Sequence, residues 1–130
     1  KTSSSFLPIT ETHLCAMPSS AIIGKEKVKV LTLDSLVGTA IKPSDRIYLK
    51  IDVQGYEMAV LKGSIQTLTQ TRAVEIELSL TPLYEGTPLM TEMISYLESL
   101  GFVLVALNDV FSDPNSDRLL QVDGLFKRIQ

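Results

Sequence analysis

The stretch Ile47–Lys62, IYLKIDVQGYEMAVLK, constrains the fold more than any other part of the chain. A β-branched, apolar run ends at Asp52, Gly55 follows two residues after Val53, and Glu57 opens a segment with helical spacing. A strand that passes into a helix through a short acidic turn is the building unit of α/β domains. In open α/β sheets, ligands bind in the crevice outside the carboxyl ends of the strands. Asp52 and Gly55 therefore stand where a site is expected.

The rest of the chain continues the alternation. Val28–Leu33 (VKVLTL) alternates as a strand does, and Asp34-Ser35 is placed to cap a short helical turn through Leu36 and Val37. Val60, Leu61, Ile65 and Leu68 give helical spacing from Glu57 to Leu68, which Gly63 weakens and can break in two. Ala73–Leu80 (AVEIELSL) reads as a strand with Glu75 and Glu77 on the face opposite Val74, Ile76 and Leu78. Thr87-Pro88 reads as a helix N-cap followed by proline at the first helical position. Leu89, Met93, Leu97 and Leu100 then form one stripe, and Gly101 is placed as the C-cap. Phe102–Leu107 and Leu119–Arg128 are strands joined by a polar connection, Asn108–Asp117. With no helix between them these two pair antiparallel, whereas helix-separated strands run parallel with right-handed crossovers. The expected class is α/β: one domain over residues 1–130, with a mostly parallel sheet and an antiparallel last strand. An irregular arm rich in Ser, Thr and Pro occupies residues 1–27.

Composition excludes several functions. The formal net charge is −3, which argues against a nucleic-acid partner, because phosphate binding relies on clustered Lys and Arg. Lys25, Lys27 and Lys29 alternate and read as a solvated strand face. No apolar stretch reaches transmembrane length, so no membrane partner is expected. Cys15 is the one cysteine, and no zinc-type Cys/His spacing or other ligand cluster calls for a metal. His13 lies two residues away from Cys15 in the arm, a proximity that makes no nucleophile–base pair by itself.

Six segments carry a resemblance to a known family: SSSFL at Ser3–Leu7, VKVLTLDSL at Val28–Leu36, LKIDVQGYEMAVLKG at Leu49–Gly63, IELSLTPLYEG at Ile76–Gly86, LGF at Leu100–Phe102 and LLQVDGLFKR at Leu119–Arg128. In this order and at these separations the chain resembles the FkbM family of methyltransferases along nearly its whole length. The resemblance implies a Rossmann-like methyltransferase fold and S-adenosylmethionine as cofactor. It also implies that the chain corresponds to the C-terminal half of the domain. The family's glycine-rich loop and its ribose-holding acidic residue have no counterpart here, and no GxG sequence occurs. Poor cofactor affinity, and inactivity of the isolated chain, are the corresponding expectations.

The resemblance and the chain pattern together nominate six site residues. Asp52 is placed to accept a proton from a substrate hydroxyl or to lie near the methyl donor, against the alternative that it only caps the following helix or orders the loop. Gln54 and Gly55 join it on the cofactor side, where Gly55 permits a positive-φ turn or a close ligand approach. Glu77, nearer the carboxyl end of its strand than Glu75, is the second catalytic candidate, while Glu75 is expected to face solvent or a basic partner. Glu57 is a substrate-side carboxylate or a first-turn residue favourable to the helix dipole. Tyr84 lines a substrate pocket or closes the core with its ring. Asp123 is expected to be a structural hydrogen-bonding residue, beside a glycine that marks a bulge or a close backbone approach.

The implied reaction is O-methylation of a hydroxyl on a sugar or another small natural product. The competing expectation is a non-catalytic half-domain that needs a partner chain or self-associates through the edge of its Ile47–Val53 strand. The lone thiol and the absence of a visible signal sequence fit a cytoplasmic location.

Overall fold

The computed structural model describes residues 4–129, so Lys1, and Ser3 of the SSSFL segment, lie outside the described residues. Four strands, β1 (Ile47–Ile51), β2 (Thr71–Ser79), β3 (Phe102–Ser112) and β4 (Leu119–Arg128), form one sheet in the order β1-β2-β4-β3. β1 and β2 are parallel, and β4 is antiparallel to both β2 and β3. The expected mostly parallel sheet is thereby corrected, since two of its three pairings are antiparallel. The reason is topological. β1, β2 and β3 share one direction, but the reversed strand β4 enters between β2 and β3 and makes both of its own pairings antiparallel. The connection over 113–118 is too short for a crossover, so it enforces that reversal.

Helices α1 (Glu11–Ala16), α2 (Leu33–Val37), α3 (Glu57–Lys62), α4 (Ile65–Gln70) and α5 (Met90–Ser99) complete the fold. Leu61, Leu68, Met93 and Leu97 from α3, α4 and α5 pack on Ile51, Val74, Ile76, Leu78, Phe102, Val122 and Phe126, all buried on one face of the sheet. Gly63 does divide the expected Glu57–Leu68 helix: its N–H closes α3 on the Ala59 carbonyl at 3.0 Å. The start of α4 is capped from a distance. The Asp34 carboxylate accepts the N–H groups of Gln66 (3.0 Å) and Thr67 (2.8 Å) and the Thr67 hydroxyl (2.7 Å). Burial opposes the charge of Asp34, but these bonds outweigh it and hold the carboxyl below its ordinary pKa. Asp34 therefore does not cap its own helix; the Thr32 hydroxyl does, accepting the Ser35 N–H at 3.2 Å.

Three further expectations are corrected. Val28–Leu33 forms no strand. Val28, Val30 and Leu31 are exposed in unpaired chain, because alternation specifies a face but supplies no neighbouring strand. Thr87 is not an N-cap: α5 starts at Met90 with Leu89 as its cap and no side-chain cap bond. Pro88 disfavours helical backbone at Thr87, and the Thr87 hydroxyl is buried without a partner. β3 runs to Ser112 rather than ending at Leu107, because the turn sits at Asp113–Arg118 and pairing with β4 extends to its base. The Asp113 carboxylate accepts the Asn115 N–H and the Ser116 hydroxyl and so fixes that turn. Gly101 caps α5 as expected, at φ 84°.

Within the stretch 1–27, α1 and a 3-10 turn at Pro18–Ser20 interrupt irregular chain. The Thr10 hydroxyl caps α1, and Ile9 makes an isolated bridge with Tyr84. Leu7, Ile9 and Ala16 pack with Leu83, Tyr84, Leu120 and Phe111 in a second, smaller cluster. At the far end of β4 the Arg128 guanidinium donates to the carbonyls of Thr71, Leu100 and Leu68 and lies over the Phe102 ring at 4.3 Å. One side chain thus ties together the ends of α4, β2 and α5.

Gly124 keeps its ladder position opposite Ile76 and is no bulge. It is there for a close approach: a Cβ at this residue would meet Leu78 Cδ1 at 2.6 Å and Phe126 Cε2 at 2.9 Å. Gly124→Ala is therefore expected to cost about 1–3 kcal/mol. Urea unfolding should show a lower midpoint at an unchanged slope. An unchanged midpoint would mean that Leu78 and Phe126 can yield within a filled core.

Candidate functional site

The six nominated residues converge at the carboxyl ends of β1 and β2. β1 stops at Ile51, and Asp52 emerges exposed at its end. The turn that follows is sharp because Gln54 (φ 53°) and Gly55 (φ 96°) both take positive φ. For Gln54 this conformation is costly, and it persists only where the surroundings fix it. Four hydrogen bonds do so. Its Nε2 donates to Asp52 Oδ1 (2.9 Å) and to Glu77 Oε2 (3.3 Å), its Oε1 accepts the Tyr84 hydroxyl (2.7 Å), and its carbonyl accepts the Ser5 hydroxyl (2.6 Å). Gln54 is the hub of the cluster.

Gly55 serves packing as well as the turn. A Cβ there would lie 2.9 Å from the Tyr84 side chain, so the close approach it permits is that of the tyrosine. Glu57 is 5% exposed and turns its carboxylate back to the Gly55 N–H at 3.1 Å. Burial raises its pKa, only partly offset by backbone N–H groups at the start of α3. Its carboxylate therefore presents little surface to a substrate and closes the turn from behind. Tyr84 is 1% exposed, so its ring is part of the core and only its hydroxyl reaches the cluster.

Two residues join the cluster that the sequence did not nominate. Gln121 on β4 is buried and donates its amide to Glu77 Oε2 at 3.2 Å. Ser5 reaches Gln54 across 49 residues of chain. Neither contact leaves a local signal, because one depends on the β2–β4 register and the other on where the arm lands.

The face of the sheet away from the helices carries charge. Glu75 pairs with Lys50 and accepts the Tyr48 hydroxyl, as expected of a residue with a basic partner. These partners hold the Glu75 carboxyl below its ordinary pKa. Lys50 also lies 3.9 Å from Asp123, which stands directly opposite Glu77 in the ladder. His13 is buried, with its ring 5.2 Å from that of Tyr84 and 5.6 Å from that of Phe111. Burial lowers its pKa, partly offset by a backbone hydrogen bond with Leu83. His13 packs behind Tyr84, and Cys15 is exposed without any disulfide.

Beside this junction runs an open groove of about 670 Å³, lined by Phe6, Val30, Leu31, Leu36, Val53, Tyr56 and Val60, with Lys29 as its one charged lining residue. Phe6 and Tyr56 stand with ring centroids 4.9 Å apart. A carboxylate cluster at a strand end whose following residues, Val53 and Tyr56, line a mainly apolar groove suits a ligand that is cationic at one end and flat or apolar at the other. The residues present thus fit a sulfonium cofactor in chemical character. Among the described residues no group of three or more His, Cys, Asp or Glu is arranged to hold a metal ion.

The family model of the methyltransferase FkbM domain matches residues 2–104. The chain belongs to the FkbM methyltransferase family. The matched span contains the whole Asp52–Glu57 junction, Glu77 and Tyr84, while Gln121 lies beyond it. Comparison with curated proteins and with solved structures returns no match.

Tyr84 gives a direct test of the cluster. Burial, then the charges of Glu77, Glu57 and Asp52, push its pKa up to about 12. The folded state holds this proton more tightly than the unfolded chain, whose tyrosine titrates near pH ~10. Tyr84 thus contributes stability that is fully present below about pH 10 and is lost as the pH rises toward 12. Urea midpoints across this window should fall more steeply for the native chain than for Tyr84→Phe. Equal slopes would place the tyrosine outside the charged cluster. Tyr48, raised by its bond to Glu75, is present in both proteins and cancels in the comparison.

Proposed function

We propose that this FkbM-family domain uses S-adenosylmethionine to methylate a hydroxyl of a sugar or another small natural product, with Asp52 as general base. The observation that carries the reading is the position of Asp52: exposed at the end of β1, held by Gln54, and next in the chain to Val53, which lines the groove. An alcohol oxygen is a poor nucleophile while protonated, so a positioned carboxylate matters more for O-methylation than for methylation of a free amine. S-adenosylmethionine, when bound, supplies an already activated methyl group. The chain's own task is alignment and proton removal, of which alignment alone can supply roughly 7–11 kcal/mol.

In this reading Asp52, Gln54 and Gly55 form the cofactor-side wall. Glu77 adds negative potential next to Asp52 and is the alternative base. Glu57 and Tyr84 bound the substrate side from behind, Glu57 by shaping the turn and Tyr84 by orienting the Gln54 amide. The 130-residue chain alone is expected to bind the cofactor weakly and turn over slowly. No helix among the described residues is long and apolar enough to cross a membrane. A cytoplasmic location is part of the same proposal, on the strength of the unpaired thiol.

Two measurements test this. Titrating S-adenosylmethionine into labelled protein should move the backbone amide resonances of Asp52–Glu57 and of the groove first. Transfer of a radiolabelled methyl group to a panel of hydroxyl acceptors should then fall roughly 10²–10⁴-fold in Asp52→Asn. Cofactor binding with undiminished transfer in Asp52→Asn but lost transfer in Glu77→Gln would reassign the base. Resonance shifts confined to another surface would reject the site.

A further inference from the structure

We propose that residues 5–13 form a clamp on the candidate site, in which His13 is a positioning residue acting through Tyr84, and that the clamp opens when the His13 ring takes up a proton. The clamp does not depend on the methyl-transfer reading; only its consequence for the transfer rate rests on that reading. At one end the Ser5 hydroxyl accepts the Leu7 N–H at 3.0 Å and donates to the Gln54 carbonyl at 2.6 Å. In the middle the chain runs along the loop that follows β2. The Thr10 N–H and hydroxyl donate to the carbonyls of Leu83 (3.0 Å) and Pro82 (2.9 Å), the Pro8 carbonyl accepts the Glu85 N–H at 2.9 Å, and Ile9 bridges Tyr84. At the other end His13, on α1, is 4% exposed and sets its ring nearly perpendicular to that of Tyr84. Both ends therefore bear on Gln54. Ser5 holds the carbonyl of this positive-φ residue, and His13 backs the ring whose hydroxyl donates to its amide oxygen at 2.7 Å.

The place of His13 suits a neutral ring. Phe111 lies 5.6 Å away, and the ring nitrogen Nδ1 is buried with no hydrogen-bond partner among the described residues. In a neutral imidazole that nitrogen can be a bare acceptor, whereas in the protonated ring both nitrogens carry an N–H. Protonation therefore buries a charge together with a donor that has no acceptor. No neighbouring group offsets this cost. Tyr84 faces the ring from the loop and keeps its proton up to about pH 12. Phe111 of β3 and Leu120 of β4, in the same cluster, do not titrate. Glu85 of the loop and Glu11 and Cys15 of α1 are exposed. Burial lowers the His13 pKa, and only the Leu83 backbone acts in the opposite direction.

The sign of the pH effect follows. Once released, the ring titrates near pH ~6.5, as in a free peptide. In the closed clamp burial holds it lower. Protons therefore favour the open form: the clamp is closed at neutral pH, and its closed-to-open ratio falls by up to about tenfold per pH unit below ~6.5, until the buried ring itself titrates. Opening withdraws the ring behind Tyr84 and the hydroxyl on the Gln54 carbonyl. The turn then loses the contacts that fix its positive φ, and Asp52 loses the amide that orients it. The candidate site is ordered at neutral pH and slackens in mildly acid solution.

His13 is the one histidine of the chain, so its ring resonances identify themselves in a proton NMR titration of the 130-residue protein. Their midpoint should lie below pH ~6.5. The side-chain amide of Gln54 and the backbone amides of residues 5–13 and 82–85 should shift with that same midpoint. His13→Phe keeps a neutral ring in place and should leave these amides unmoved across the same window. Ser5→Ala retains the histidine but loosens the clamp from its far end, so the His13 midpoint should move up toward ~6.5. These two titrations decide the matter even where His13→Phe does not fold. A native midpoint at or above ~6.5 overturns the proposal. So does a Gln54 amide that stays still while the ring titrates, which would reduce His13 to packing. Amide shifts that persist in His13→Phe overturn it by assigning the change to a carboxylate such as Asp52 or Glu77, and an unmoved midpoint in Ser5→Ala does so by showing the two ends to be uncoupled. Methyl transfer should fall below pH ~6.5 more steeply in the native chain than in His13→Phe. The resonances decide the clamp whether or not transfer is detected, so its failure and that of the methyl-transfer reading are told apart.

Discussion

The antiparallel seam between β2 and β4 carries both the fold and the site. On one face of the seam Val74, Ile76 and Leu78 meet Val122 and Phe126 across a ladder kept close by Gly124, and together they form the floor on which α3, α4 and α5 pack. On the other face the same register sets Glu77 opposite Asp123 and one pair away from Gln121. Two carboxylates directly opposite repel one another. The seam tolerates them because amides from Gln54 and Gln121 converge on Glu77 and the Lys50 ammonium lies near Asp123. A slip of one residue would move the core side chains of β4, Val122 and Phe126 among them, to the polar face and dismantle the carboxylate cluster at the same time. Core packing therefore enforces the geometry of the site.

Features that depend on local pattern were legible in the sequence, and features that depend on a distant partner were not. Leu119–Arg128 reads as a strand and is one, because ten residues of strong β pattern end in recognisable turn chemistry on the N-terminal side. The division at Gly63 was legible from helix propensity alone, and the Gly101 cap from its place after an amphipathic stripe. Asp52, Gln54, Gly55 and Glu57 lie within six consecutive positions, so one strand end delivers them together, and Glu77 follows from alternation along β2. Val28–Leu33 has the same kind of alternation and no strand to join. The mostly parallel sheet failed for a related reason. Periodicity reports which way a side chain faces, while the neighbour of β2 is decided by where β4 inserts. Thr87 has the chemistry of an N-cap, yet the backbone turns helical only after Leu89. Gln121 and Ser5 reach the site through tertiary contacts that no spacing encodes.

Among the side chains of the cluster, Gln54 has a role few others could fill. Its position demands a donor toward two carboxylates and an acceptor toward a tyrosine that stays protonated up to about pH 12. A carboxylate there would present acceptors to acceptors, and an ammonium would have nothing to accept the Tyr84 hydroxyl proton. The primary amide satisfies all three partners and adds no charge. Its hydrogen bonds also offset the cost of a positive φ at a residue with a Cβ, so the strained turn and the polar network sustain each other. The result is a pre-organised strand end: Asp52 is exposed, but one of its oxygens is already held.

The charge balance of this strand end bears on the ligand it suits. Asp52, Glu57, Glu77 and Asp123 gather here, and Lys50 is engaged by Glu75 and lies 3.9 Å from Asp123. The local field therefore favours positive charge, such as that of a sulfonium. Burial divides the carboxylates. Glu57 is closed off behind the turn, Glu77 is held by two amides, and of Asp52, Glu57 and Glu77 only Asp52 is exposed. A cationic ligand that reaches this strand end therefore meets Asp52 before the other two.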